Sequence, residues 1–132
     1  MADIEKKQFM YKGKGIEELK ALDVREFSKY LKSRARRSVL RQFQEIEDFV
    51  SRCKNKIERK KPIRTHKRAL IIVPQMVGMI IGVHNGKEFL PVRITEIMLG
   101  HRLGEFALTR GKIQHGSPGV GSTKGTKSKA KK

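Results

Sequence analysis

The stretch Met79-Ile-Ile-Gly-Val-His84-Asn-Gly86-Lys-Glu-Phe-Leu-Pro91-Val-Arg-Ile94 decides the fold. Two apolar segments, Met79–His84 and Lys87–Ile94, flank Asn85-Gly86. Asn-Gly in that position is the strongest short-range hairpin signal, because a type I′ turn needs positive φ at both central residues. A two-residue loop pairs His84 with Lys87. In that register Met79, Ile81 and Val83 share a face with Leu90, Val92 and Ile94, which makes it a core face. Ile80, Gly82 and His84 share the other face with Lys87, Phe89 and Arg93, and that face is mixed and basic. The same register puts Pro91, which has no N–H, at a hydrogen-bonding position, so an edge strand or a bulge is expected there.

Around the hairpin, Ala69–Val73 reads as a short β-branched strand ended by Pro74, and Thr95–Gly100 as a one-turn helix closed by glycine. Upstream the pattern turns helical. Asp23-Val-Arg-Glu26 has capping-box spacing, and Val24, Phe27, Tyr30 and Leu31 then fall on one face. A second helix carries Val39, Phe43, Ile46, Val50, Cys53 and Ile57 at alternating spacings of 4 and 3, a stripe too short for an independent coiled coil. It packs against the preceding helix or the middle of the chain, and Lys60-Lys-Pro62 stops it. Three zones follow: a basic, mostly helical extension over 1–61, an α+β core over 62–110, and a tail over 111–132 of Gly, Ser, Thr and Lys without acids. The tail has too little to bury and is expected to be disordered when free.

At 132 residues the chain is about one domain, with 31 Lys and Arg against 13 Asp and Glu for a net charge of +18. That density points to a polyanion as partner. The longest apolar run, Leu70–Val83, holds 14 residues broken by Pro74, Gly78 and Gly82, short of the roughly 20 a spanning helix needs. The acidic start, Met1-Ala-Asp-Ile-Glu5, is no signal peptide, so the chain reads as soluble and intracellular, with no membrane partner.

Catalytic and metal chemistry find little support. Cys53 is the single cysteine, and His66, His84, His101 and His115 are spread over 50 residues, so neither a disulfide scaffold nor close metal-ligand pairs arise. Gly116-Ser-Pro-Gly-Val-Gly121-Ser-Thr123 nearly spells a phosphate loop, but the required Lys is Ser122 and no strand leads into it. Gly13-Lys-Gly15 lacks the third glycine of a dinucleotide fingerprint. Only Glu88, Glu96 and Glu105 lie between Pro62 and Arg110, without a nucleophile and base to join them. No enzyme, cofactor or metal is expected.

The basic residues carry more. Arg34, Arg37 and Arg41 form a helical stripe with Arg36 beside it, and a charge run of that kind is ordinarily just a solvated face. Between residues 52 and 68, however, nine Lys and Arg, including Arg64, Lys67 and Arg68, meet only Glu58. A face that merely needed solubility would mix signs. Such clustering neutralises phosphates and releases counterions, which gives salt-sensitive affinity for nucleic acid. Zinc-finger spacing, a basic zipper, a reading helix and aromatic single-strand motifs are all missing. A small core with basic extensions suits a large folded RNA. Two rivals remain, a free-standing nucleic-acid architectural or chaperone protein and a nucleotide-dependent enzyme using the Gly116–Thr123 loop.

The middle of the chain also resembles a known family. Pro74-Gln-Met-Val-Gly78, Val83-His-Asn-Gly-Lys87, Phe89-Leu-Pro-Val92 and above all Gly100-His-Arg-Leu-Gly-Glu-Phe-Ala-Leu-Thr-Arg110 resemble the small-subunit ribosomal protein S-nineteen family. Phe9-Met-Tyr-Lys-Gly13, the helical extension and Ile113-Gln-His-Gly-Ser-Pro-Gly-Val-Gly121 are similar to its archaeal and eukaryotic branch. Leu108 stands where many members have Pro, and Thr123–Lys132 is a Lys-rich ending that departs from eukaryotic relatives.

The resemblance implies an α+β fold: a small antiparallel or mixed sheet with the Asn-Gly hairpin, N-terminal helices packed on it, and the basic tail. It implies a structural role in the head of the small ribosomal subunit, in the cytoplasm and bound to the ribosome. The implied partners are small-subunit rRNA, a neighbour of the S-thirteen family, and tRNA near the decoding region, which the tail approaches; no self-oligomer is expected. Matching positions imply RNA contact at His66, Lys67, Arg68, His84, Asn85, Lys87, His101, Arg102, Thr109 and Arg110, with Gly100 and Gly104 permitting close backbone approach. Arg34, Arg36, Arg37, Arg41, Arg64, Arg93, Lys112 and His115 complete the expected RNA-contact set.

Overall fold

The computed structural model describes residues 8–113, 119 and 123–126. The chain enters through a short hairpin, β1 (Met10–Tyr11) and β2 (Lys14–Gly15), turned on Gly13 at φ +81°. Helices α1 (Ile16–Ala21), α2 (Val24–Ser28), α3 (Ser33–Arg41) and α4 (Phe43–Glu58) follow. Strands β3 (Ile63–Thr65), β4 (Ile80–His84) and β5 (Phe89–Arg93) then build one sheet, with 3-10 turns at Pro74–Met76, Glu96–Met98 and Leu103–Phe106. β3 runs parallel to β4, which pairs antiparallel with β5, so the sheet is mixed and the fold α+β, as expected.

The central hairpin forms in a register two residues away from the expected one. His84 pairs with Phe89, Gly82 with Pro91 and Ile81 with Val92. The Asn85 N–H donates to the Glu88 carbonyl at 3.0 Å. Asn85 Oδ1 accepts from the Lys87 and Glu88 amides at 2.9 and 2.8 Å, so the asparagine closes the turn with its side chain. Hydrogen-bonded pairs alternate along an antiparallel ladder. Counted from Asn85 and Glu88 they fall at Val83–Leu90 and Ile81–Val92, which leaves Pro91 in a non-bonded pair. Proline then forfeits no ladder bond, and this outweighs the Asn-Gly turn preference. A shift of two preserves facing, so Ile81, Val83, Val92 and Ile94 are buried as the alternation requires. β5 is an edge strand, where Pro91 is tolerated.

Two further expectations change. Leu70, Ile71, Ile72 and Val73 are all buried, but they form no strand. They run extended against residues 100–104, bonded by the Ile72 N–H to the His101 carbonyl (2.8 Å) and the Leu103 N–H to the Leu70 carbonyl (3.0 Å), with a single bridge at Ile71 and Arg102. Burial on every side explains the unbroken apolar run. The strand beside β4 is instead Ile63–Thr65, whose three residues offer too short a pattern to read.

The long stripe is two helices. Gln42, at φ −113° and ψ 19°, ends α3 and starts α4, so Val39 belongs to one helix and Ile46, Val50 and Cys53 to the other. Phe49 joins them in the core, while Ile57 is half exposed. Arg25 lies over the Phe43 ring at 3.9 Å and ties α2 to the start of α4. The stop at Lys60-Lys61 is a Schellman turn: the Lys61 N–H reaches the Lys56 carbonyl at 2.8 Å, the Lys60 N–H reaches Ile57 at 2.9 Å, and Lys60 sits at φ +52°. The Asp23 cap is present as read, with the Asp23 N–H donating to Glu26 Oε2 at 3.4 Å.

One continuous apolar cluster joins Leu19, Phe27, Val39, Ile46 and Val50 on the helices to Ile72, Ile81, Ile94 and Leu103. The helices are therefore packed on the sheet's inner face and its flanking segments. Among the described residues no helix is long and apolar enough to cross a membrane, and no group of three His, Cys, Asp or Glu could hold a metal ion. His115, the Gly116–Thr123 segment save Gly119 and Thr123, and the expected disorder of the tail fall outside the described residues.

Candidate nucleic-acid interface

Few of the described cations are neutralised within the fold. Among the described residues, one Lys or Arg reaches a carboxylate within 4.0 Å: Lys67 Nζ lies 3.7 Å from Glu45 Oε2, both exposed. A surface this basic repels itself, and a bound polyanion relieves that repulsion beyond what salt screening does.

The outer face of the sheet gathers the first group of expected contacts. Arg64 on β3, His84 on β4, and Phe89 and Arg93 on β5 lie there, with His66 just past β3. The His66 and His84 rings have centroids 4.4 Å apart, and Phe89 stands nearly perpendicular to both, at 5.0 and 4.9 Å. The Arg64 guanidinium sits 5.5 Å over the Phe89 ring. Gly82 makes room for this grouping: a Cβ there would lie 3.1 Å from the Ile63 carbonyl and 3.4 Å from both Arg64 Cγ and Phe89 Cβ. His84 Nδ1 accepts the Gly86 N–H at 3.0 Å, which ties the ring to the turn. Lys87 is exposed at the tip, and Asn85 Oδ1 is consumed by the turn itself.

A second group converges from distant parts of the chain. Arg34, Arg37 and Arg41 on α3 line a cavity of about 150 Å³ together with Ser38, Gln42 and Arg102, and no carboxylate is among them. Arg102 Nη2 donates to Ser38 Oγ at 3.3 Å, which fixes the fourth arginine to the helix. Gln42 Oε1 is buried without a hydrogen-bond partner. His101 pairs with Glu105, Nδ1 to Oε2 at 2.7 Å, while Thr109, Arg110 and Lys112 are exposed.

Two expected contacts are already engaged within the fold. Arg36 donates to the carbonyls of Ser28 (3.2 Å), Lys29 (2.9 Å) and Leu31 (3.2 Å), so it caps the open end of α2. Arg68 donates to the carbonyls of His84 (2.6 Å), Gly104 (2.8 Å) and Ala107 (2.5 Å) and thereby joins the hairpin to the Leu103–Phe106 turn. A Cβ on Gly104 would lie 2.9 Å from Arg68 Cβ, and one on Gly100 (φ +80°) would lie 3.0 Å from Leu31 Cδ2. Both glycines of the Gly100–Arg110 string are thus sites of close approach. Elsewhere, burial pushes the Cys53 thiol up to about 11 against the weaker pull of Lys56 and Arg52, and raises the Tyr11 hydroxyl. Buried in the core, that thiol stays protonated at neutral pH.

Phe89 was absent from the expected contacts although the alternation had placed it on the basic face. Comparison with known families matches residues 25–115 to Ribosomal protein S19. The chain belongs to that family. The match runs from α2 through the Gly100–Arg110 string and includes both cationic groups described above. The protein is accordingly a structural component of the small ribosomal subunit, binds its rRNA and has no enzymatic activity.

Proposed function

We propose that this chain sits in the head of the small subunit as an architectural, phosphate-screening component, cytoplasmic and ribosome-bound. Its contacts with rRNA use the outer face of the sheet (Arg64, His66, His84, Lys87, Arg93), Lys67 beyond the end of β3, the α3 cleft (Arg34, Arg37, Arg41, Arg102) and the exposed His101, Thr109, Arg110 and Lys112, with His115 following them in the sequence. The neighbour is a protein of the S-thirteen family, and the tail of 111–132 runs toward the decoding region and its tRNAs. The three-part division at residues 61 and 110 belongs to the same reading.

The observation that carries it is that, among the described residues, one Lys or Arg reaches a carboxylate. Each phosphate neutralised adds roughly 0.7–0.9 to the slope of log affinity against log salt. Binding of the purified protein to a head-domain rRNA fragment should therefore weaken steeply over a fourfold rise in salt. In lysate, the protein should sediment with small subunits and stay there through a high-salt wash. A flat salt response, or recovery at the top of the gradient at both salts, would sink the reading.

A further inference from the structure

The core lies on the inner face of the sheet, yet three aromatic rings are gathered on the outer one. His66 leans against His84 with ring planes tilted by 36°, and Phe89 meets both edge-on at 70–76°. His84 is held by the Gly86 N–H, so the lower ring of the pair is fixed. His66 above it is exposed, and Phe89 is only half-buried. Rings needed only to support a hairpin tip would be buried; these form a corner, with an imidazole floor and a phenyl wall, open to solvent. Arg64 stands over the wall, and the absence of a side chain at Gly82 lets Arg64 and Phe89 close over the strand between them.

We propose that this corner receives one unpaired nucleobase extruded from the bound rRNA, stacked on His66 with its edge against Phe89, while Arg64 holds the adjoining phosphate. The proposal rests on the rRNA-binding reading and adds to it a site for a base, where charge alone supplies only backbone contacts. A flat π-surface suits this corner better than an aliphatic side chain does, because the rings already pack on one another and the Arg64 guanidinium lies over Phe89. A stacked base is held by aromatic overlap worth roughly 5- to 150-fold in affinity, and that part does not depend on salt.

The chain contains no tryptophan. A Phe89→Trp variant therefore places a single indole reporter in the corner. On binding the head-domain rRNA fragment its emission should be quenched; at pH 8 His66→Ala, which removes the stacking ring, should lower affinity roughly 5- to 150-fold while leaving the salt slope unchanged, and Phe89→Leu, which removes the edge contact, should lower it less. Arg64→Ala should lower both affinity and slope. Circular dichroism of His66→Ala and Phe89→Leu checks that the fold persists. If the wild type binds with its steep slope but His66→Ala binds equally well, the base site is refuted and the wider reading stands. If indole emission shifts to the blue without quenching, or responds only when a partner protein is added, a polypeptide covers the corner and the proposal is overturned. If the wild type binds no rRNA, the wider reading fails and takes the site with it.

Discussion

Replacing Arg68 by alanine separates a structural arginine from an RNA-binding one. Its guanidinium donates three hydrogen bonds to carbonyls of His84, Gly104 and Ala107, and so ties together parts of the chain 16, 36 and 39 residues away. A bond from a charged donor contributes about 1.5–3 kcal/mol, and a buried carbonyl left unpaired costs about 1–3. The site is half-buried, so water recovers part of this, and the three bonds are not additive. A loss of about 3–5 kcal/mol is expected, which is a large share of the 5–15 typical of a domain. For a chain of this size that lowers Tm by roughly 10–20 °C. Arg68→Lys should recover only part of the loss, because a single ammonium cannot span three carbonyls as a planar fork does. Arg110→Ala, an exposed change, should stay within about 0.5 kcal/mol. Calorimetry or thermal circular dichroism on the three variants reads the effect directly. If Arg68→Ala melts within about 3 °C of the wild type and instead lowers the salt slope of rRNA binding, the assignment of Arg68 to the fold is wrong.

Three other outcomes are expected. Lys60→Gly should stabilise the protein by about 0.5–1 kcal/mol in urea unfolding, since Lys60 holds a left-handed φ of +52° at the end of α4, where glycine carries no Cβ penalty. Gly100→Ala should cost about 2–3 kcal/mol by the same assay, through its φ of +80° and the contact its Cβ would make with Leu31. Cys53 gives a pH dependence: its folded pKa of about 11 stands above the unfolded value of about 9, so the unfolded chain ionises first. The stabilising contribution of Cys53 is complete below about pH 9 and is lost toward about pH 11, so the advantage of wild type over Cys53→Ala should shrink across that window; a constant difference contradicts the burial of the thiol.

Legibility of the candidate site divides along the same line as legibility of the fold. Arg34, Arg37 and Arg41 could be read as one stripe because helical spacing is local. Their convergence with Arg102 could not, since more than 60 residues separate them and only the packing of the 100–107 segment against α3 brings them together. In Arg36 and Arg68 the sequence shows a charge, and whether that charge faces solvent or a row of carbonyls depends on what folds over it. Phe89 was placed on the right face by alternation, but its partnership with His66 depends on a parallel strand of three residues that leaves almost no pattern.

By itself the sequence determined what depends on neighbours a few residues apart and on total composition. These are the hairpin and the facing of its side chains, the Asp23 cap, the glycine-closed turn at Gly100, the polyanion-seeking charge, and the motif string that marks the family. Tertiary structure alone decided the rest. It moved the hairpin register by two residues so that Pro91 meets no ladder bond. It broke the stripe at Gln42, where no Gly or Pro announces a kink, because Val39 and Phe49 must both reach one core. It drew Leu70–Val73 into the interior as an extended spine instead of a strand, since its bonding partners lie some 30 residues onward and no local pattern encodes them. Local spacing dictates which way a side chain points, but long-range packing dictates what it meets there.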